Sequence, residues 1–237
     1  MRETNSSWLT RRIQWAFNLG LTRAYRRVQV DPYKYLLHLR RAHGLPIDSI
    51  DQVYFVHPAA LDHIADLTIK ASTKLAAAEG AGFGIGGLIS VVPDFGVLSA
   101  ITLRMMQKLS LIYGFGYSTD AEVAELWIAA ASAAGVDVGK DFLEKEVIER
   151  FVPRVIRRIA AQASTEVAEK WSGRLVPVFS SAIGGALNYY FVREWGRRAK
   201  RYFREKHMSV RVQLGSQSTE RRELPANVSA DHFLSPG

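Results

Sequence analysis

Residues 76–115 read AAAEGAGFGIGGLISVVPDFGVLSAITLRMMQKLSLIYGF, and this stretch decides the fold class. Its centre, Gly80–Pro93, is 14 residues without a charge, and apolar residues recur at helical spacing after it. A run of this length is shorter than the ~20 residues of a membrane-spanning helix and is typical of a core or re-entrant segment. We therefore predict two helical arms around a bend at Val91–Asp94, with small residues that let the arms pack closely.

Gly82–Gly87 also match the dinucleotide-binding pattern G-x-G-x-x-G. That pattern requires a preceding strand and an acidic residue about 20 residues later within a βαβ unit. A helical segment precedes the glycines here, so close helix packing is the better interpretation. We predict no cofactor, and the chain has no cysteine to serve as a metal ligand or nucleophile.

Three charged residues near the bend are candidates for a structural or functional role: Glu79, Asp94 and Arg104. Glu79 and Arg104 are nearly equidistant from the bend, so we predict an ion pair between them, since an unpaired buried charge is costly. Asp94 is predicted to cap the helix that follows Pro93. No His or Ser lies at a recognisable catalytic spacing from these carboxylates, so the sequence predicts neither an enzyme nor a metal site.

A second uncharged stretch, residues 175–192, reads LVPVFSSAIGGALNYYFV. Its 18 residues approach the length of a membrane span, but Pro177 and Asn188 argue against one. We predict a second Gly/Pro-centred apolar hairpin here. Overall, the predicted fold is all-α, a single multi-helix domain that contains both hairpins.

A basic helix, Arg193–Lys206, follows directly and predicts contact with an anionic membrane surface. The candidate lipid-contacting residues are Arg193, Trp195, Arg197, Arg198, Lys200, Arg201 and Arg204. The alternative is that this helix is basic because it packs on the acidic middle of the chain. Residues 44–149 carry six Lys/Arg and 14 acids, whereas both flanking regions are basic and the net charge is +8.

The remaining helices follow from periodicity and capping residues. They are predicted at Ser7–Val28, Pro32–Ala42, Pro58–Ala78 and Phe95–Tyr113, and over residues 139–171 with a break near Pro153. A further helix is predicted to start at a capping box formed by Thr119 and Glu122 and to end near Gly135. On the third of these, Asp62, Asp66, Lys70 and Lys74 are spaced for pairing within the helix. The N-terminal residues lack the apolar core of a secretory signal, so we expect a cytoplasmic protein.

Two blocks of the sequence resemble the EcsC protein family. One is residues 76–115, with Ala78-Glu79-Gly80, Gly84–Gly87, Pro93-Asp94 and Tyr113-Gly114; the other is residues 174–204, with Pro177, Gly184-Gly185 and the basic helix. The resemblance implies a helical, mostly bacterial family, named from a gene beside an ABC-type exporter operon, with no settled catalytic role to carry over. From this resemblance, the charge distribution and the polar, aperiodic composition after Met208, we predict basic N-terminal helices (1–45), an EcsC-like core (46–207) and a disordered tail (208–237).

Three hypotheses for function follow. The first is a non-enzymatic protein at the inner face of the membrane, bound to anionic lipid or to a membrane-protein partner such as a transporter subunit. The second is a soluble helical domain that binds a small apolar ligand between its glycine-rich arms. The third, an enzyme that uses Glu79 or Asp94, lacks a recognisable catalytic partner. Nucleic-acid binding is not predicted, because no motif for it is present.

Overall fold

Seven α-helices and one short 3-10 helix make up the regular structure of the residues that the computed structural model describes, which are 3–83, 91–137, 148–172 and 181–223. The helices are α1 (Glu3–Arg27), α2 (Pro32–His43), α3 (Pro58–Phe83), α4 (Val91–Ile112), α5 (Asp120–Ala133), α6 (Ile148–Ser172) and α7 (Ser181–Glu223), and the 3-10 helix is Ile50–Phe55. Within these ranges there is no strand. The prediction of a single all-α domain is confirmed.

Local sequence explains several helix ends. The Asp31 side chain accepts a hydrogen bond from the Lys34 amide at the start of α2, and Gly44 ends that helix with a left-handed φ of 65°. At the start of α5, Thr119 and Glu122 form the predicted capping box, in which each side chain bonds to the other residue's backbone N–H. These contacts satisfy backbone groups that a helix end leaves unpaired.

The directions of the central helices follow from three side-chain contacts. The Tyr113 hydroxyl, just beyond α4, donates to Asp62 near the start of α3 at 2.7 Å, so α3 and α4 are antiparallel. Lys200 and Arg204 of α7 form ion pairs with Asp66 and Asp62 at 2.7 Å and 2.9 Å. Because the residue numbers rise on one helix as they fall on the other, α7 is antiparallel to α3 and parallel to α4.

Helix α1 runs parallel to α4 and α7. The Gln107 amide of α4 donates to the Val28 carbonyl at 3.1 Å and accepts from the Val30 amide at 3.0 Å, which fixes the end of α1. Earlier in α1, the ring of Phe17 lies 5.5 Å from that of Phe191, near the start of α7. The ring contact thus places the middle of α1 near the third turn of α7, and the Gln107 bonds place its end near the end of α4.

Helix α6 runs in the opposite direction to α1. Burial raises the pKa of Tyr25, near the end of α1, and the charges of Asp120 and Glu149 add to this effect. The starts of α5 and α6 therefore lie near the end of α1. Because α6 also packs along α1, its end lies toward the start of α1.

The core is densest around α4, where side chains from neighbouring helices meet. Fully buried side chains include Leu39, Leu61, Met105, Met106, Leu109, Leu111, Ile112, Trp127 and Phe203. Gly196 lets α7 approach this core closely, because a Cβ atom there would lie 3.0 Å from Ile69 and from the Met105 sulfur. This close approach was not predicted from the sequence, and most of the glycines for which close packing was predicted, residues 82–87, lie outside the described residues.

Two predicted boundaries are wrong. Helix α4 begins at Val91, so Pro93 and Asp94 lie in its first turn and not in a bend that precedes the helix. A proline is tolerated there because the first N–H groups have no partner within the helix. The rest of the predicted bend lies in residues 84–90, outside the described residues. Helix α6 also continues through Pro153 without the predicted break.

Helix α7 differs most from expectation. Residues 181–192 of the second uncharged stretch form its first turns and continue directly into the basic segment. A hairpin within those residues is therefore excluded, and residues 173–180 lie outside the described part of the chain. The helix also extends to Glu223, so the prediction of a disordered tail after residue 207 is wrong for residues 208–223.

Candidate functional site

One end of the bundle, here called the apolar end, brings together the end of α3, the start of α4, the end of α6 and the start of α7. This follows from the helix directions established above. The described parts of the two uncharged stretches, residues 80–83 of α3, 91–93 of α4 and 181–192 of α7, lie at this end although the stretches are far apart in the sequence. Uncharged segments from both stretches therefore lie at the same end of the bundle.

Exposed aromatic side chains lie close to the apolar end. Tyr189 and Tyr190 of α7 are 42% and 44% exposed, and Trp15 of α1 is 56% exposed. Tyr190 lies nine residues after Ser181, about 13.5 Å along the helix at 1.5 Å per residue. Aromatic residues in such a position are typical of a membrane interface, where an apolar body meets a polar edge.

The opposite end of the bundle is held by polar contacts. Asp62 accepts hydrogen bonds from Tyr113 at 2.7 Å and from Arg204 at 2.9 Å and 3.2 Å. Burial alone would raise the pKa of Asp62, but these hydrogen bonds and the charges of Arg204 and Lys200 outweigh it, so the pKa is lowered. Burial and the bond to Asp62 also raise the pKa of Tyr113. The carboxylate is thus held ionised as part of the packing.

His207 is buried in the same region. Its ring stacks on Tyr54 with centroids 5.2 Å apart, and its Nδ1 lies 2.9 Å from the Tyr113 carbonyl oxygen, which places the proton on Nδ1. Its Nε2 is buried and has no hydrogen-bond partner within the described structure. Burial lowers the pKa of His207, so the fold favours the neutral ring.

Several predicted lipid contacts are part of the fold. Trp195 is 3% exposed and belongs to the core. Arg198 bonds to Glu194 at 3.0 Å and to the Ala133 carbonyl at 3.3 Å. Lys200 and Arg204 pair with acids of α3 as described above. For these residues the alternative interpretation, that the helix is basic because it lies on the acidic middle, accounts for the charge.

The other three predicted contacts are exposed: Arg193, Arg197 and Arg201. They are four residues apart and lie along one stripe of α7. Arg193 lies 5.9 Å from the ring centre of Tyr189, whereas Arg197 and Arg201 form no ion pair with any residue of the described ranges. This stripe starts next to the exposed tyrosines of the apolar end.

The candidate charges near the predicted bend are not brought together. Glu79 is half-buried and Arg104 is exposed, and no ion pair joins them in the part of the chain that is described. The burial that motivated this pair is therefore lacking at Arg104. The side chain of Asp94 and the glycine-rich arms proposed to enclose an apolar ligand lie outside the described residues.

Sequence analysis missed the role of Lys70 and Lys74 of α3. Their spacing from Asp62 and Asp66 predicted pairing within one helix, but both acids bond to α7 instead. Lys70 and Lys74 are exposed and form no ion pair with described residues. The spacing within α3 alone pairs these lysines with Asp62 and Asp66. It cannot show that both acids pair with α7, so the exposure of Lys70 and Lys74 without ion pairs to described residues could not be predicted.

The described ranges contain neither a candidate membrane-spanning helix nor a candidate metal site. No helix there is both long and apolar enough to cross a membrane. No group of three or more His, Asp or Glu side chains there is placed to hold a metal ion.

Comparison with known proteins places these features in a family. The sequence profile of the EcsC protein family matches residues 34–208, well over half of the chain. The chain is also 30% identical over 146 residues to Protein EcsC of Bacillus subtilis (strain 168), an alignment that covers 60% of this chain and 61% of that relative. No solved structure matches the chain. The matched region contains α3, α4 and the basic part of α7.

Proposed function

The chain belongs to the EcsC protein family, and we propose that it is a non-enzymatic protein that attaches peripherally to the cytoplasmic face of an anionic membrane. The apolar end contacts the bilayer, and the exposed arginines of α7 face the lipid headgroups. The observation that carries this proposal is that the described parts of both uncharged stretches and the exposed aromatic residues Tyr189, Tyr190 and Trp15 lie at one end of the bundle.

The dimensions of the bundle support this orientation. Tyr189 and Tyr190 lie about 12–13.5 Å from the start of α7, close to half of the ~30 Å hydrocarbon thickness of a bilayer. With the apolar end in one leaflet, these tyrosines reach the interface, where their hydroxyls meet water. Arg193 and Arg197, one and two turns farther along α7, then lie among the headgroups.

Flotation with liposomes tests this proposal on the full chain. We expect binding to vesicles that contain phosphatidylglycerol, weaker binding to pure phosphatidylcholine, and a part of the binding that resists high salt because it is apolar. Salt screens the contribution of the arginines but leaves the apolar contribution in place. Wild-type protein that stays unbound under every lipid and salt condition would refute the proposal.

A pair of matched variants assigns the binding to the apolar end. Tyr189→Ser with Tyr190→Ser removes two exposed aromatic rings there, and we expect about tenfold weaker binding, from ~1.5 kcal/mol of lost apolar burial. Tyr33→Ser with Phe55→Ser is the control, since these side chains are 73% and 80% exposed at the opposite end. Equal losses in both variants would argue against a defined membrane-facing end.

A further inference from the structure

The interface between α3 and α7 has a regular register. Asp62 pairs with Arg204, and Asp66, four residues later, pairs with Lys200, four residues earlier. On antiparallel helices such steps of four place successive residues along facing edges. Toward the end of α7, the two helices are therefore joined by acid–base pairs.

Toward the apolar end, the charges along this interface change from acid–base pairs to cations. Continued by the same steps of four, this register places Lys70 level with Gly196 and Lys74 level with Val192, and Arg197 and Arg193 directly follow these two residues of α7. The close approach of Gly196 to Ile69, the residue before Lys70, agrees with this alignment. At these levels both helices carry exposed cations, whereas the preceding positions carry opposite charges that pair.

Nearby acids do not neutralise this group. The carboxylate of Asp66, one turn before Lys70, is bonded to Lys200 at 2.7 Å. That of Glu194 is bonded to Arg198 at 3.0 Å on the side of α7 that faces α5. Like charges four residues apart on one helix, as in Lys70 with Lys74 and Arg193 with Arg197, are destabilising, so an anion bound among them would relieve the repulsion.

We propose that Lys70, Lys74, Arg193 and Arg197, here called the cation cluster, bind the phosphate groups of anionic phospholipids. This inference rests on the proposed membrane attachment and names the lipid chemistry and the second helix involved. Lys74 lies about 13.5 Å from the end of α3, and Arg193 about 18 Å from the start of α7. The cluster is therefore level with the exposed tyrosines or just beyond them, at the depth of the headgroups.

The depth and the exposed apolar neighbours favour a lipid over other polyanions. Leu75, 51% exposed, follows Lys74 directly, and Tyr189 lies beneath Arg193. A phosphate held by the cluster would thus have its acyl chains directed to the apolar end. Lysine and arginine side chains suit this position, because their stems cover apolar surface while the charges reach the phosphates.

The test compares Lys70→Gln/Lys74→Gln with Arg26→Gln/Arg27→Gln in the full chain. Both variants lose two exposed positive charges, but Arg26 and Arg27 lie at the far end of α1, several Debye lengths from the apolar end at physiological salt. For phosphatidylglycerol vesicles we expect about 30-fold weaker binding of the first variant, from ~1 kcal/mol per cation, and less than about threefold for the control.

A second measurement needs no membrane. Because neutral side chains relieve the repulsion, Lys70→Gln/Lys74→Gln should raise the melting temperature at low salt, and added salt should remove the difference. A lower melting temperature would contradict this repulsion. Circular dichroism confirms that both variants are folded.

The outcomes separate this inference from the proposed function. If wild-type protein does not float, the proposed function is wrong and the lipid assignment fails with it. If wild-type protein floats and both variants float equally well, only the cation cluster is refuted. If glycerol 1-phosphate in solution raises the melting temperature of the wild type while vesicle binding is equal in both variants, the surface binds a soluble phosphate and the lipid assignment is overturned.

Discussion

The basic segment of α7 has cations that pair with acids of α3 and cations without an ion-pair partner in the described ranges. Replacing two cations of either group by glutamine should change stability in one case and membrane binding in the other. Lys200→Gln/Arg204→Gln removes the cations that bond to α3. Arg197→Gln/Arg201→Gln removes exposed cations of the same helix that have no ion-pair partner within the described ranges. Both variants change the net charge by the same amount, so only the location of the charge differs.

The structure sets the size of the effect. The two ion pairs are partly exposed, and such pairs each contribute at most ~1 kcal/mol. Asp62 would also keep only the Tyr113 hydroxyl as a partner and lose both bonds from Arg204. We expect a loss of about 1–2 kcal/mol, which for a chain of this size lowers the melting temperature by about 3–6 °C.

Thermal unfolding followed by circular dichroism, combined with flotation on anionic vesicles, measures both properties. Lys200→Gln/Arg204→Gln should melt earlier and bind nearly as well as wild type below its melting temperature. Arg197→Gln/Arg201→Gln should melt at the wild-type temperature or slightly above it and bind less. The reasoning is refuted if the first variant keeps its stability and loses binding, or if the two variants cannot be distinguished.

Two further predictions concern packing and pH. In urea unfolding, Gly196→Ala should destabilise the fold by about 1 kcal/mol, because overpacking against Ile69 exceeds the gain in helix propensity. Gly215→Ala should stabilise the fold by up to ~1 kcal/mol, since no atom lies within 4 Å of a Cβ at that position. Equal shifts in the two variants would show that α7 is not tightly packed at Gly196. Acidification below pH 6.5 should lower the urea midpoint, because the lowered pKa of His207 means that the unfolded chain gains a proton that the folded ring resists. His207→Gln should reduce this step, to which His43 with its lowered pKa also contributes, and leave a second loss at lower pH, as Asp62, whose pKa is also lowered, becomes protonated; a step of unchanged size in the variant would assign it to another group.

Features that depend on a few neighbouring residues could be predicted from the sequence. Asp31 and Gly44 mark the ends of α2, and Thr119 with Glu122 marks the start of α5, because the bonds involved span only a few residues. The all-α class followed from apolar periodicity, which reflects the geometry of a single helix. Such signals are complete within a short segment.

The roles of the charged residues could not be predicted in the same way. Arg204 and Asp62 are separated by 142 residues, and their contact depends on the register of α7 against α3. From sequence alone, Arg204 and Arg197 belong to one basic helix and are equivalent. The structure distinguishes them, because one side chain meets a carboxylate and the other does not.

The same distinction applies to the apolar segments, since a core helix and a membrane-contacting helix have similar composition. In α7 the two properties occupy one continuous helix: Trp195 and Phe203 lie in the core, while Tyr189 and Tyr190 remain exposed near its start. A helix whose exposed face passes from aromatic residues to exposed arginines and then to cations paired with α3 has a polarity gradient along its axis. That gradient matches the change from hydrocarbon to headgroup to water, which is why the proposed attachment is at the end of the bundle and not along its side.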